Sequence, residues 1–129
     1  MARILVADDQ VAIRGAIQRA LERDGHDIIL AVDGLEAARA ILEAGADLAL
    51  IDINMPKMGG IELLAAFKAV APAMPVVVMS GGDRNHGMGR LEDTTLMGAT
   101  GILAKPFTLG ELRDAVTRAL AAGRRADPG

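Results

Sequence analysis

Five short apolar runs, separated by amphipathic stretches, restrict the folds open to this chain. The runs are predicted strands, and they cover residues 3–7, 27–31, 48–51, 75–79 and 101–104. Several of them are too uniformly apolar for a sheet that has one face in water. Strands that alternate with helices form parallel sheets covered on both sides. The sequence therefore predicts an α/β fold built from five strand-helix units.

The stretches between the strands place apolar residues at the intervals of amphipathic helices. Four such helices are well defined, and their apolar residues include Ile13 and Ile17, Leu35 and Leu42, Ile61 and Leu64, and Leu112 and Val116. Gly25 and Gly45 stand where the first two helices should end. A further helix, fourth in chain order, is predicted at residues 91–97 after a glycine-rich loop at 81–90. Its β-branched threonines lower the helix propensity, so we expect it to be labile.

The amino-acid composition limits the classes of protein to which this chain can belong. With 129 residues and 51% apolar content, the chain can bury one core, so we expect one domain at residues 1–122 and a flexible tail at 123–129. The net charge of −3 and the two aromatic residues argue against nucleic-acid binding. Cysteine is absent, and no apolar run reaches membrane-spanning length. We expect a soluble cytoplasmic protein that binds neither nucleic acid nor membranes.

Charged and polar residues follow the predicted strands at the point where each strand ends. Asp8 and Asp9 follow the first strand, and Asp52 follows the third. Ser80 follows the fourth strand and Lys105 the fifth. Because the carboxyl ends of parallel strands meet at one edge of a sheet, we expect these side chains to form one site. Taken singly, each could be a turn residue or a helix cap.

In order and spacing these residues resemble a response-regulator receiver domain of the single-domain, chemotaxis-regulator-like kind. The resemblance also includes Met55-Pro56 and Gly60 after Asp52, and Lys105-Pro106-Phe107. It implies a flavodoxin-like, doubly wound (βα)5 fold whose five parallel strands lie in the order 2-1-3-4-5. It further implies phosphorelay signalling in a two-component system, with a histidine kinase or a histidine phosphotransfer protein as phosphoryl donor.

Phosphoryl transfer to a carboxylate needs an in-line nucleophile and cations that neutralise the phosphoryl oxygens. We predict Asp52 as the phosphoacceptor and Asp9, Asp8 and Asp52 as ligands of Mg²⁺, which takes oxygen donors. The resemblance implies that the backbone carbonyl of Asn54 is a further ligand. Three clustered acids repel one another, so the Lys105 ammonium is a required partner, pairing with Asp52 before transfer and with the phosphate afterwards.

The predicted readout of phosphorylation is the Ser80 hydroxyl, which can donate to a phosphoryl oxygen and draw its loop inward. The resemblance implies that an unknown protein target binds a face made of the fourth helix, fifth strand and fifth helix. Ile102 stands where receivers usually carry an aromatic residue, so output through a rotating aromatic side chain is not expected. The loop at 81–90 is also about three residues longer than the corresponding loop in most receivers.

Two other functions remain open at this point. A constitutive interaction module with the same fold would never be phosphorylated, and Ile102 is compatible with it. A phosphohydrolase with an aspartyl-phosphate intermediate needs a second acid two residues after the nucleophile, where this chain has Asn54, and an amide cannot act as a general acid. We therefore predict a stand-alone signalling switch with autocatalysed phosphorylation and dephosphorylation, rather than an enzyme.

Overall fold

A computed structural model of the chain describes residues 2–53, 55, 57–80 and 98–126. Within them, five strands alternate with four helices. In chain order the elements are β1 (Arg3–Ala7), α1 (Val11–Arg23), β2 (Asp27–Ala31), α2 (Gly34–Glu43), β3 (Leu48–Asp52), α3 (Gly60–Val70), β4 (Val76–Ser80), β5 (Gly101–Ala104) and α4 (Leu109–Ala126). The predicted helix at 91–97 and the loop at 81–90 lie outside the described residues.

The strands form one parallel sheet in the order β2-β1-β3-β4-β5, which confirms the predicted fold. The register aligns the carboxyl ends of the strands. Ala7 at the end of β1 pairs with Ala31 of β2 and with Ile51 of β3. Ser80 pairs with Ala104 at the other side of the sheet. The residues that end or follow β1, β3, β4 and β5 therefore share one edge.

Both faces of the central strands β1, β3 and β4 are covered, as their uniformly apolar sequences predicted. In β3 every residue is buried, and its side chains alternate between two apolar layers. Ala49 and Ile51 belong to the layer that contains Phe67 of α3. Leu48 and Leu50 belong to the opposite layer, with Leu112 of α4 among others. Because β3 is held from both sides, the position of Asp52 at its end is fixed by the core.

Two strands end one residue later than predicted. Asp52 and Ser80 are the last residues of β3 and β4 and do not follow them. The ladder continues because the Ile53 amide donates to the Met79 carbonyl at 2.9 Å, and the Lys105 amide donates to the Ser80 carbonyl at 2.6 Å. Both site residues are thus set by sheet hydrogen bonds.

The helices α1 and α2 end just before the predicted glycines, whereas α4 extends further along the chain than predicted. Gly25 and Gly45, which follow α1 and α2, have φ values of 93° and 73°, in the left-handed region that glycine adopts without steric cost. The last helix runs to Ala126 and so includes residues 123–126, while the predicted limit of the domain at residue 122 remains a prediction. Arginine and alanine there are good helix formers. In the described part of the chain, no helix is long and apolar enough to cross a membrane.

Candidate functional site

Three carboxylates meet at the carboxyl edge of the sheet, as the strand ends predicted. One oxygen from each of Asp8, Asp9 and Asp52 lies within 4.8 Å of the other two. Asp8 and Asp52 are buried, with 0% and 5% of their surfaces exposed, whereas Asp9 is open to solvent. Negative charges this close repel one another strongly where water is excluded, so the cluster needs positive charge nearby.

Lys105 supplies part of that charge. Its Nζ lies 2.6 Å from Asp8 Oδ2 and 3.4 Å from Asp52 Oδ2. The sequence predicted the contact with Asp52, but the shorter contact is with Asp8. The hydrogen bond from the Lys105 amide to the Ser80 carbonyl brings the Lys105 backbone to the site. The peptide bond between Lys105 and Pro106 is cis. Three carboxylates and one ammonium give this cluster a formal charge of −2.

Asp8 is held by hydrogen bonds to both its backbone and its side chain. Its amide donates to the Ala31 carbonyl at 3.2 Å, and its Oδ1 accepts from the Gln10 amide at 2.9 Å. Its backbone carbonyl accepts from Arg14 Nη1 at 2.7 Å. With Oδ2 on Lys105, both carboxylate oxygens are already engaged by donors. Asp8 is thus well placed to fix Lys105, while Asp9 offers the more accessible oxygens.

Arg14 is a site residue that sequence reasoning missed. The sequence does hold a feature that points to Arg14. The helix α1 begins at Val11 with no acid in its first turn, and Arg14 lies just beyond that turn. A cation near a helix N-terminus is disfavoured by the helix dipole, so one found there calls for an acceptor nearby. That acceptor is the Asp8 carbonyl.

Ser80 is at the same edge and is mostly buried, with 8% of its surface exposed. Its strand, β4, lies directly beside β3, and its carbonyl holds the Lys105 backbone. The hydroxyl's role in switching remains a prediction. Asn54 lies outside the described residues, so its predicted carbonyl ligand remains a prediction as well.

The loop that follows Asp52 is anchored to α2. The side chain of Lys57, which has a φ of 70°, pairs with Asp33 at 3.4 Å between Nζ and Oδ2. Asp33 caps α2, because its Oδ1 accepts from the Glu36 amide at 2.8 Å. That hydrogen bond and the nearby Lys57 ammonium hold the pKa of the Asp33 carboxyl below its usual value. Sequence reasoning did not identify this pair.

The donor set fits a hard divalent cation. It consists of carboxylate oxygens that carry a net charge of −2 after pairing with Lys105. Mg²⁺ binds oxygens at about 2.1 Å, so two of its ligands lie within about 4.2 Å of each other. The oxygens of Asp8, Asp9 and Asp52 span at most 4.8 Å, which needs only small side-chain adjustments. Histidine and cysteine, which favour softer metals, do not take part in this cluster.

An apolar groove adjoins the acids. It has a volume of about 610 Å³ and opens between the start of α1 and the segment that leads into α4. Asp9, Gln10, Asp52 and Lys105 form its polar part. Its apolar walls are built from Ala12, Ile13, Ala16, Ile17, Pro106, Phe107, Leu109 and Leu112. The Asp52 carboxylate therefore borders an apolar surface.

Fold and site together define a receiver domain. The profile of the response regulator receiver domain matches residues 4–117, and the chain belongs to that family. It is 32% identical over 119 residues to the sporulation initiation phosphotransferase F of Bacillus subtilis, covering 92% of this chain and 93% of that protein. It is 38% identical over 124 residues to the DNA-binding transcriptional regulator NtrC of Rhizobium meliloti, covering 96% of this chain and 25% of that one.

A solved structure agrees with these relatives. A response regulator receiver domain protein from Clostridium thermocellum superposes with a TM-score of 0.89 at 30% identity, covering 98% of this chain and all of that one. The chain spans about half or less of the length of several other curated relatives. Receiver domains are signalling switches of two-component systems rather than enzymes in the usual sense, and histidine kinases or phosphotransfer proteins phosphorylate them.

Replacing Lys105 by methionine tests its role as a counter-charge. Removing one partner of a buried ion pair typically costs about 3–5 kcal/mol. We expect Lys105→Met to lower the free energy of unfolding by an amount of that order in EDTA, because Asp8 and Asp52 then lack their cation. Saturating Mg²⁺ should raise the free energy of unfolding by more in the variant than in the wild type. Urea denaturation followed by circular dichroism measures both; equal Mg²⁺ effects in the two proteins would contradict this role.

Asp33→Asn tests the link between α2 and the loop through its pH dependence. Asparagine keeps the capping acceptor but loses the charge. Because the folded state lowers the Asp33 pKa from 3.8, the charge stabilises the protein above that pH, and the contribution is lost as the pH falls through the folded value. The stability difference between wild type and variant should be largest near pH 7 and shrink below pH 4. A difference that stays constant down to pH 3 would show that the charge has no favourable partner.

Proposed function

We propose that this chain accepts a phosphoryl group on Asp52 from a histidine kinase or a histidine phosphotransfer protein, in a Mg²⁺-dependent reaction, and thereby changes its binding to a protein target. The observation that carries the proposal is the buried Asp52 carboxylate, which shares Lys105 with Asp8 and borders an apolar groove. We further propose a cytoplasmic location, for which the absence of cysteine is the supporting feature.

In the proposed reaction an Asp52 carboxylate oxygen attacks the phosphorus atom of the donor. An oxygen–phosphorus bond forms as the donor's phosphorus–nitrogen bond breaks, and the donor imidazole keeps the bonding electron pair. When bound, Mg²⁺ supplies positive charge that neutralises the phosphoryl oxygens. Asp9 and Asp8 would hold it together with Asp52 and the carbonyl of Asn54.

Lys105 then changes partners. Its contact with Asp52, at 3.4 Å, is the longer of its two ion pairs. We infer that this contact gives way to one with a phosphoryl oxygen, while the 2.6 Å contact with Asp8 keeps the ammonium in place. A fixed cation aimed at the developing charge requires no reorganisation during transfer. Asp8 would thus serve the reaction mainly by holding Lys105.

The groove gives the donor a surface on which to dock. The first residues of the two helices beside it, Val11 of α1 and Leu109 of α4, are 73% and 51% exposed. Exposed apolar side chains next to a charged site are typical of protein-binding surfaces. A donor protein that covers the groove would also exclude water from Asp52.

Ser80 is the proposed sensor of the phosphorylated state, acting from the strand next to Asp52. A constitutive interaction module is the second candidate function. The observation that favours it is Ile102, which is 42% exposed on β5 and cannot act as the rotating aromatic residue. In that case the acids would remain unmodified.

Intact mass measurement with acetyl phosphate as donor separates these two functions. With Mg²⁺ present, the wild type should gain the mass of one phosphoryl group, because Asp52 has its cation partners in place. The gain should vanish in EDTA and in Asp52→Asn. Asp114→Asn, which alters an exposed acid paired with Arg118 on α4, is the matched control and should behave as the wild type. A wild type that shows no adduct at saturating donor and Mg²⁺ would contradict the proposal and favour the constitutive module.

A further inference from the structure

The first turn of α2 lies against the loop that follows the proposed acceptor, Asp52. This loop, residues 53–59, connects Asp52 at the end of β3 to α3. The contact involves Asp33 and Gly34 on one side and Lys57 and Met58 on the other. None of these four residues belongs to the acid cluster or touches the donor groove.

Gly34 allows the loop to approach closely. A Cβ atom at this position would lie 2.2 Å from the Met58 carbonyl oxygen and 2.5 Å from the Met58 Cβ. Both distances are far below van der Waals contact, and the first involves the backbone, which cannot rotate aside as a flexible side chain can. Gly34 is not at a positive φ, so its conformation alone would accept alanine. The requirement for glycine here therefore comes from the neighbouring loop.

Asp33 adds a charged contact beside this steric one. Its side chain is 11% exposed and pairs with Lys57, whose side chain is 63% exposed. The Oδ1 atom of Asp33 is fixed by the Glu36 amide, so Oδ2 faces Lys57 from a rigid cap. An ion pair that is exposed at one end contributes little to stability. Its effect is to favour one position of the Lys57 side chain.

The ends of the loop are held separately. At its start, the Ile53 amide bonds to Met79 of β4. At its end, the Gly59 amide donates to Glu62 Oε2 at 3.0 Å, which caps α3. The α2 contact lies between these two anchors, five and six residues after Asp52. It thus restrains Lys57 and Met58, which these two bonds do not involve.

We propose that Asp33 and Gly34 are positioning residues for phosphorylation: they hold Lys57 and Met58, and so restrain the loop that follows Asp52. The inference rests on the proposed function. Small misplacements of reacting groups cost rate out of proportion to their size. Outer supports of metal ligands likewise alter metal affinity. The loop position should therefore affect Mg²⁺ binding and phosphoryl transfer more than it affects folding.

The test compares Gly34→Ala with Gly110→Ala. Gly110 lies in the first turn of α4, and a Cβ there would make only an ordinary 3.8 Å contact with Thr108 Oγ1. For each protein we would measure Mg²⁺ affinity by NMR titration, the rate of acetyl phosphate incorporation by intact mass, and stability by urea denaturation. Gly34→Ala should lower Mg²⁺ affinity and the incorporation rate by about tenfold or more, whereas Gly110→Ala should leave both within twofold.

Variants of the Asp33–Lys57 ion pair keep the test valid if Gly34→Ala folds poorly. Asp33→Asn and Lys57→Gln should each lower Mg²⁺ affinity by about threefold, in line with a weak ion pair. The double variant should be no worse than either single one, because both changes remove the same contact. Asp24→Asn, which removes an ion pair to Arg113 at the far end of α1, is the matched control and should leave Mg²⁺ affinity unchanged.

The outcomes separate this inference from the function on which it rests. Mg²⁺ affinities of Gly34→Ala and Asp33→Asn that equal those of their controls would overturn the positioning role. A wild type that binds Mg²⁺ but forms no Asp52 adduct would overturn the proposed function, while the Mg²⁺ affinities would still test whether α2 positions the loop. A wild type that binds no Mg²⁺ would overturn both.

Discussion

The ammonium of Lys105, placed between two buried carboxylates, is the interaction on which this site depends. At 2.6 Å from Asp8 and 3.4 Å from Asp52, it neutralises charge in a place that water hardly reaches. It does not neutralise all of it, since the cluster with Asp9 keeps a formal charge of −2. That remaining charge matches a divalent cation. In the proposed function, one carboxylate would exchange its contacts for those of a phosphoryl group while the rest of the cluster stays in place.

The sheet provides the rigidity that such an arrangement requires. Charged groups at 0% and 5% exposure are tolerated only where the backbone holds them in good geometry. β3 is buried on both faces, and the ladder hydrogen bonds extend past its end to Ile53. At β5, the Ser80 carbonyl accepts a hydrogen bond from the Lys105 amide and so fixes the Lys105 backbone. The loop after Asp52 lacks such ladder support at Lys57 and Met58, which is where the first turn of α2 contacts it.

Much of this could be predicted from the sequence, for identifiable reasons. The apolar runs defined the five strands, and the family resemblance implied their order. Parallel strands made it possible to group Asp8, Asp52 and Lys105 at one edge. The preference of Lys105 for Asp8 could not be predicted, because it depends on side-chain distances of tenths of an ångström. The contact between Gly34 and Met58 also escaped prediction, since it joins segments that lie far apart in sequence and no local pattern signals it. The limits of the domain, Asn54 and residues 81–97 remain predictions.

The formal charge of −2 on the acid cluster matches that of one bound divalent cation. Isothermal titration of the protein with Mg²⁺ tests this most directly, using Asp9→Asn and the control Asp114→Asn beside the wild type. We expect one Mg²⁺ per chain in the wild type and in the control, and a loss of affinity of about tenfold or more in Asp9→Asn. Equal Mg²⁺ affinity in all three proteins, or no binding in any of them, would contradict it.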